Sequence, residues 1–134
     1  MKACQLITAQ DVQGVLGAGY TAQNMTENPI MSVCGYKKGA DNGVLVSLQQ
    51  TIYDSAQYLN TEQTGIKQQG GAVTPVGGLG AGAFYLLDPG KNPPVFQLHF
   101  GKGNLEVILT VITAGRPNVD AARKLAKVAY ARLP

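Results

Sequence analysis

The sequence has no tryptophan, one histidine, three phenylalanines and only 14% charged residues in 134 positions. With His99 alone, no second histidine stands at metal-ligand spacing, and no metal or cofactor motif is legible. Two cysteines, Cys4 and Cys34, are too few for a disulfide-dense scaffold. No apolar run approaches the roughly 18 to 20 residues that a spanning helix needs. The lysines Lys2, Lys37, Lys38, Lys67, Lys91 and Lys102 are scattered, and a formal charge of +3 without a dense basic patch argues against nucleic-acid binding. There is no tandem repeat, low-complexity tract or linker, so residues 1–134 read as a single globular domain, long enough to bury one core.

What is present centres on residues 75–88, PVGGLGAGAFYLLD, where Gly77, Gly78, Gly80 and Gly82 run into an apolar strand. Dense glycine permits positive φ and close backbone approach, and Phe84 to Leu87 then read as a strand buried on both faces at the centre of a sheet. A nucleotide loop would need a helix after the glycines, or a Lys-Ser or Lys-Thr ending. A strand follows instead, so a tight turn or bulge is the better reading.

Along the chain, Thr8 as N-cap, Asp11 as its capping-box partner and the staple Ile7/Val12 start a short helix that Gly17 closes. Tyr20 to Met31 reads as irregular or a weak strand. Met31 to Lys37 and Val44 to Tyr53 form an antiparallel hairpin around an Asn42-Gly43 turn. Asp54 caps a helix over residues 55–69 with a thin apolar stripe at Ala56, Leu59, Gln63 and Ile66, expected at the surface and mobile. Residues 72–76 form a short strand that Pro75 places near an edge. The turn Asp88 to Pro94 ends the glycine-led strand. In Val95 to Gly101, Phe96, Leu98 and Phe100 face one side, while Val95, Gln97 and His99 face the other. Leu105 to Thr113 completes a second hairpin, and Asn118 caps a C-terminal helix with the stripe Ala122, Leu125, Ala126, Ala129 and Leu133.

Chemistry is sparse. His99 reads as an exposed strand histidine without an orienting partner. Ser32, Ser47 and Ser55 lack a nucleophile-elbow context, and the eight carboxylates show no pair at a spacing suited to acid/base work. Arg123, Lys124, Lys127 and Arg132 read as a solvated helix face, with Asp120 placed to pair with Lys124. Six tyrosines outnumber three phenylalanines. Tyr36, Tyr53, Tyr58 and Tyr85, with His99, are candidates to line a ligand groove between sheet and helix. Cys4 and Cys34 would pair in an exported protein and remain thiols in the cytosol. Met1-Lys2-Ala3 is too short for a signal peptide, so the chain is either cytosolic or a mature domain without its leader, and the low charge favours the second.

Cys4-Gln5-Leu6-Ile7-Thr8 with Asp11-Val12 and Val15-Leu16-Gly17, then Cys34-Gly35-Tyr36, then Val76 to Tyr85, and finally Leu125-Ala126 and Ala129, together resemble bacterial cell-envelope domains of the PsbP-like α/β kind. Many of these are lipoproteins, with a strand opening of the GLGDAAFY type. Gly82 stands where that pattern often has an acidic residue or alanine. The resemblance implies an exported α+β domain with a Cys4–Cys34 disulfide and an upstream lipid anchor. It implies an antiparallel sheet of five to six strands covered by N-terminal, middle and C-terminal helices. The family brings no activity and no catalytic residues. The expectation is therefore a non-enzymatic periplasmic or extracellular domain, without metal or cofactor, that binds a partner protein or small ligand. The alternative is a small hydrolase-like or carrier domain with a pocket near His99.

Overall fold

The computed structural model describes residues 1–88, 90–91 and 95–134, with the backbone alone at 24 and 25. The chain runs α1 (Ala3–Leu6), α2 (Ala9–Leu16), β1 (Thr21–Glu27), β2 (Met31–Lys38), β3 (Asn42–Gln50), α3 (Ser55–Gln68), β4 (Val73–Pro75), β5 (Phe84–Asp88), β6 (Val95–Lys102), β7 (Leu105–Thr113), β8 (Arg116–Pro117) and α4 (Val119–Arg132). The strands form one antiparallel sheet in the order β1-β2-β3-β7-β6-β5-β4, with β8 paired to β7. The α+β class with a large antiparallel sheet and helical cover is as expected.

Among the described residues the sheet has eight strands, not five or six. The additions are β1 and the two-residue β8. With the sequence TAQNMTE, β1 carries no apolar alternation, because it is an edge strand held by its backbone ladder to β2. The glycine-led strand is also displaced from its expected place. β7 is central, between β3 and β6, whereas β5 has only the three-residue β4 outside it. Tyr85, Leu86 and Leu87 are accordingly half-buried. The β2–β3 turn occupies residues 39–41, and Asn42-Gly43 already belongs to β3. Of the expected 88–94 turn, Pro89 and Asn92 to Pro94 lie outside the described residues.

One face of the sheet carries α1, α2 and α4. Asn118 caps α4 by accepting the Ala121 N–H at 3.0 Å, and Ala122, Leu125, Ala126 and Ala129 are buried in one cluster with Phe96, Leu98, Phe100, Val107, Leu109 and Val111. Each fully buried leucine or phenylalanine stabilises by about 1.5–3 kcal/mol. Thr8 and Asp11 close the expected capping box, with Thr8 N–H donating to Asp11 Oδ2 at 2.8 Å. Cys4 and Cys34 form a disulfide that fastens α1 to β2. Arg132 is exposed, as read, but it is not free. It donates to Leu6 O at 2.9 Å and to both Asp11 carboxylate oxygens, tying the last helix to the first two.

The opposite face is covered over part of its area by α3. Asp54 caps this helix, accepting the Ala56 N–H at 3.1 Å, and Ser55 N–H donates to Gly103 O at 2.7 Å. Two glycines let the helix sit directly on backbone. A Cβ at Gly101 would collide with the Leu105 carbonyl and lie 2.7 Å from Ser55 Cβ. Gly82, at φ +84°, would place a Cβ 3.1 Å from both Ala56 O and Leu59 Cβ. The glycine cluster is thus a loop, closed by Val76 N–H to Ala83 O at 2.9 Å, whose end supports α3. Gln63 fastens it by donating to Gly82 O at 2.9 Å.

At the sheet margins, β4 is short and contains Pro75, while β1 has a bulge between Asn24 and Thr26 and ends in Glu27, paired with Lys2 at 2.6 Å. No helix among the described residues is long and apolar enough to cross a membrane.

Candidate functional site

The strand period sets the site. On β6, Gln97 and His99 share the face opposite the main core, as read from the sequence, but α3 lies over that face. His99 is therefore 3% exposed rather than solvent-facing. Across the sheet, Gly101 pairs with Glu106 and His99 pairs with Ile108, which makes Glu106 the diagonal neighbour of His99. Gln49 on β3 pairs with Glu106 from the other side. Above them, α3 places Ser55, Leu59 and Glu62 along one stripe by its three-to-four-residue repeat. Glu62 falls where an apolar residue would continue the stripe, and it reaches down to His99.

The result is a Glu62–His99–Glu106 cluster, which replaces the expectation of scattered carboxylates and a partnerless histidine. His99 Nδ1 lies 3.4 Å from Glu62 Oε2 and 3.5 Å from Glu106 Oε2. Its Nε2 pairs with Gln97 Oε1 at 2.9 Å, and the ring stacks on Phe84 with centroids 4.6 Å apart and planes 11° from parallel. Gln49 Nε2 donates to Glu106 Oε1. Glu62 Oε1, His99 Nδ1 and Glu106 Oε2 are buried without a hydrogen-bond partner among the described residues.

Burial pushes the Glu106 carboxyl up to about 7, with the Glu62 charge adding to the rise and His99 opposing it. Burial also opposes ionisation of Glu62, yet its contacts with His99 and Glu106 outweigh it and hold the group below its ordinary range. For His99, burial favours the neutral ring, but the two carboxylates prevail and raise its pKa. Tyr58 on α3 is raised by burial and by the charges of Glu62 and Glu106, and a hydrogen bond with Gln49 opposes this. Chemically the cluster can hold a proton or a cation. It is too enclosed for a substrate to reach the imidazole unless α3 moves. Glu62, His99 and Glu106 are also the residues, among those described, whose donor atoms lie within 4.8 Å of one another in a set able to hold a metal.

The tyrosine groove is not assembled as one surface. Of its five candidates, Tyr58 on α3 and His99 on β6 both neighbour Glu62 and Glu106. Tyr36 is buried on the other side of the sheet, its hydroxyl donating to Ile7 O. Tyr85 also faces that side, 6.1 Å from Phe96 and under Arg123. Tyr53 is 58% exposed on the connection before α3. Glu62, Glu106 and Gln49 were absent from the sequence reading. The available signal was a carboxylate at an apolar-periodic position, once in the α3 stripe and once in the strand LEVILTVIT.

Beyond α3, the same face is bare over β2, β3 and the far end of β7. A depression of about 380 Å³ lies there, lined among others by Gln23, Gly35, Lys37, Leu45, Thr110 and Ile112. Leu45 is 40% exposed within it. Comparison with known proteins finds no matching family, no matching curated protein and no matching solved structure.

Proposed function

We propose that this chain is a non-enzymatic, exported domain of the bacterial cell envelope that binds a small, largely apolar ligand on the bare part of its sheet. The observation that carries this reading is the depression around Leu45. Its volume lies within the roughly 300–1,000 Å³ typical of small-molecule sites, and an apolar floor of Leu45 and Ile112 is rimmed by Gln23 and Lys37. Lys37 and Asp41 give the rim one charge of each sign, so the apolar floor rather than a net charge selects the ligand. Export is supported by the Cys4–Cys34 disulfide, which consumes both cysteines and is the form favoured in oxidising compartments. Kinship with PsbP-like envelope domains belongs to the same proposal. It rests on the sequence resemblance, with which that disulfide and the antiparallel sheet with helical cover agree.

A hydrolase-like reading draws on the burial of His99 between two carboxylates. It lacks a nucleophile, because His99 Nε2 is committed to Gln97 and Nδ1 has no hydroxyl or thiol against it among the described residues. The test of the binding reading is titration of the folded protein with 1-anilinonaphthalene-8-sulfonate. Saturable fluorescence enhancement is expected, with amide shifts at Gly35, Leu45 and Thr110 in NMR spectra. Leu45→Asp should abolish both. Non-saturable enhancement, or binding indifferent to Leu45→Asp, would overturn the reading.

A further inference from the structure

We propose that Glu62, His99 and Glu106 form a binding site for a divalent transition-metal ion of the Zn²⁺ class. The inference does not rest on the ligand face at Leu45, which lies beyond α3.

His99 Nδ1 stands 3.4 and 3.5 Å from the two carboxylate oxygens. Charge-assisted N–H···O bonds close to about 2.7–2.9 Å, so these contacts are too long for the hydrogen bonds that burial would demand. They do match ligand-to-ligand spacing around a tetrahedral ion. Bonds of about 2.0–2.1 Å opened to the tetrahedral angle separate neighbouring donors by about 3.3–3.5 Å.

Among the described residues, His99 Nδ1 and Glu106 Oε2 are both unpartnered and face each other, and on both residues the other polar atom is already held; on Glu62 the unpartnered atom is Oε1, the second oxygen of the carboxylate whose Oε2 faces His99. Gln97 Oε1 accepts from His99 Nε2–H, which leaves the Nδ1 lone pair pointing inwards. Gln49 donates to Glu106 Oε1, which leaves Oε2 free. Such outer partners fix the tautomer and orientation of metal ligands. Phe84 stacked on the imidazole fixes its plane. His99 and Glu106 are essentially fully buried, 3% and 0% exposed, so their unsatisfied atoms are aimed into the cluster rather than into water.

One imidazole with two carboxylates suits zinc, manganese or ferrous ions, whereas calcium takes six to eight oxygens and magnesium keeps its water shell. The two His99-to-carboxylate spacings match a tetrahedral ion, which favours zinc among these. Three protein donors leave a fourth position, and the Glu62 side, with 25% of its side chain exposed, is the route by which an ion enters.

The test uses the whole chain, stripped with chelator and dialysed, then titrated calorimetrically with ZnCl2 and spectroscopically with CoCl2. One Zn²⁺ per chain is expected, with Co²⁺ giving the visible absorption of a tetrahedral complex. Glu62→Gln, on the partly exposed helix face, should weaken Zn²⁺ binding at least tenfold, and His99→Gln should abolish the cobalt spectrum. Gln97→Leu should weaken binding roughly tenfold, as loss of an outer partner does. Circular dichroism of each metal-free variant must match wild type. If His99→Gln fails to fold, Glu62→Gln and Gln97→Leu decide. Absence of Zn²⁺ binding to the folded wild type overturns the proposal, as does binding unchanged in Glu62→Gln and Gln97→Leu, or an octahedral cobalt spectrum.

Discussion

The two faces of this sheet are packed by different means. Under α1, α2 and α4 the interface is built from Phe96, Leu98, Phe100, Leu109 and Leu125, whose contribution is apolar area removed from water. Under α3 the interface is built from glycine backbone at Gly82 and Gly101, two buried hydrophobes, Leu59 and Phe84, that stand apart from the main cluster, and a histidine between two carboxylates. The first arrangement responds little to pH. The second places ionisable groups out of water, which is costly unless something compensates them. The difference assigns stability to one face and chemistry to the other.

The comparison can be broken most forcefully on the apolar face. Phe100→Ala should cost about 3–5 kcal/mol, by lost transfer energy and the cavity it leaves. Urea unfolding should show this as a lower midpoint with an unchanged slope. A loss under 1 kcal/mol would mean that this face is not the source of stability.

Next in size is the glycine contact. Gly101→Ala drives a methyl into the Leu105 carbonyl and Ser55, and should cost about 1–3 kcal/mol. The loss should concentrate in α3, seen as faster amide exchange over residues 55–68 while the amides of β7 and α4 stay protected. Uniform loss of protection would erase the distinction between the faces.

The smallest effect sharpens the claim that the apolar face responds little to pH except at its rim. There Arg132 holds the Asp11 carboxyl down at about 2, with the Thr8 cap assisting and partial burial opposing. Asp11 has a lower pKa folded than unfolded, so its contribution is complete above about 4 and is lost as pH falls through 4 towards 2. Discounted for the exposure of Arg132, it amounts to roughly 1–2 kcal/mol. Asp11→Asn should remove that part of the acid limb, measured as melting temperature between pH 2 and 5. An identical acid limb in wild type and variant would count against the pair.

The apolar face was largely legible. Strand alternation put Phe96, Leu98 and Phe100 together, helical spacing found Ala122, Leu125 and Ala129, and the caps at Thr8, Asp54 and Asn118 fall at the residues read from sequence. These are local patterns, and locality is what a sequence displays. Edge strand β1 was hard to read because backbone pairing leaves no compositional trace. The Glu62–His99–Glu106 cluster was illegible for another reason. Its members come from a helix and two strands, 37 and 7 residues apart along the chain, and meet only because α3 folds back over β6. Counting ligand spacing along the chain cannot see such a meeting. Asking why a glutamate interrupts an apolar stripe would have raised the question.

The margins of the sheet carry one further consequence. A proline within a three-residue border strand on one side, and a kinked, charged border strand on the other, give an incoming extended peptide no straight row of free amides to match. These margins disfavour recognition by strand addition, and concentrated solutions should stay dispersed instead of polymerising side by side.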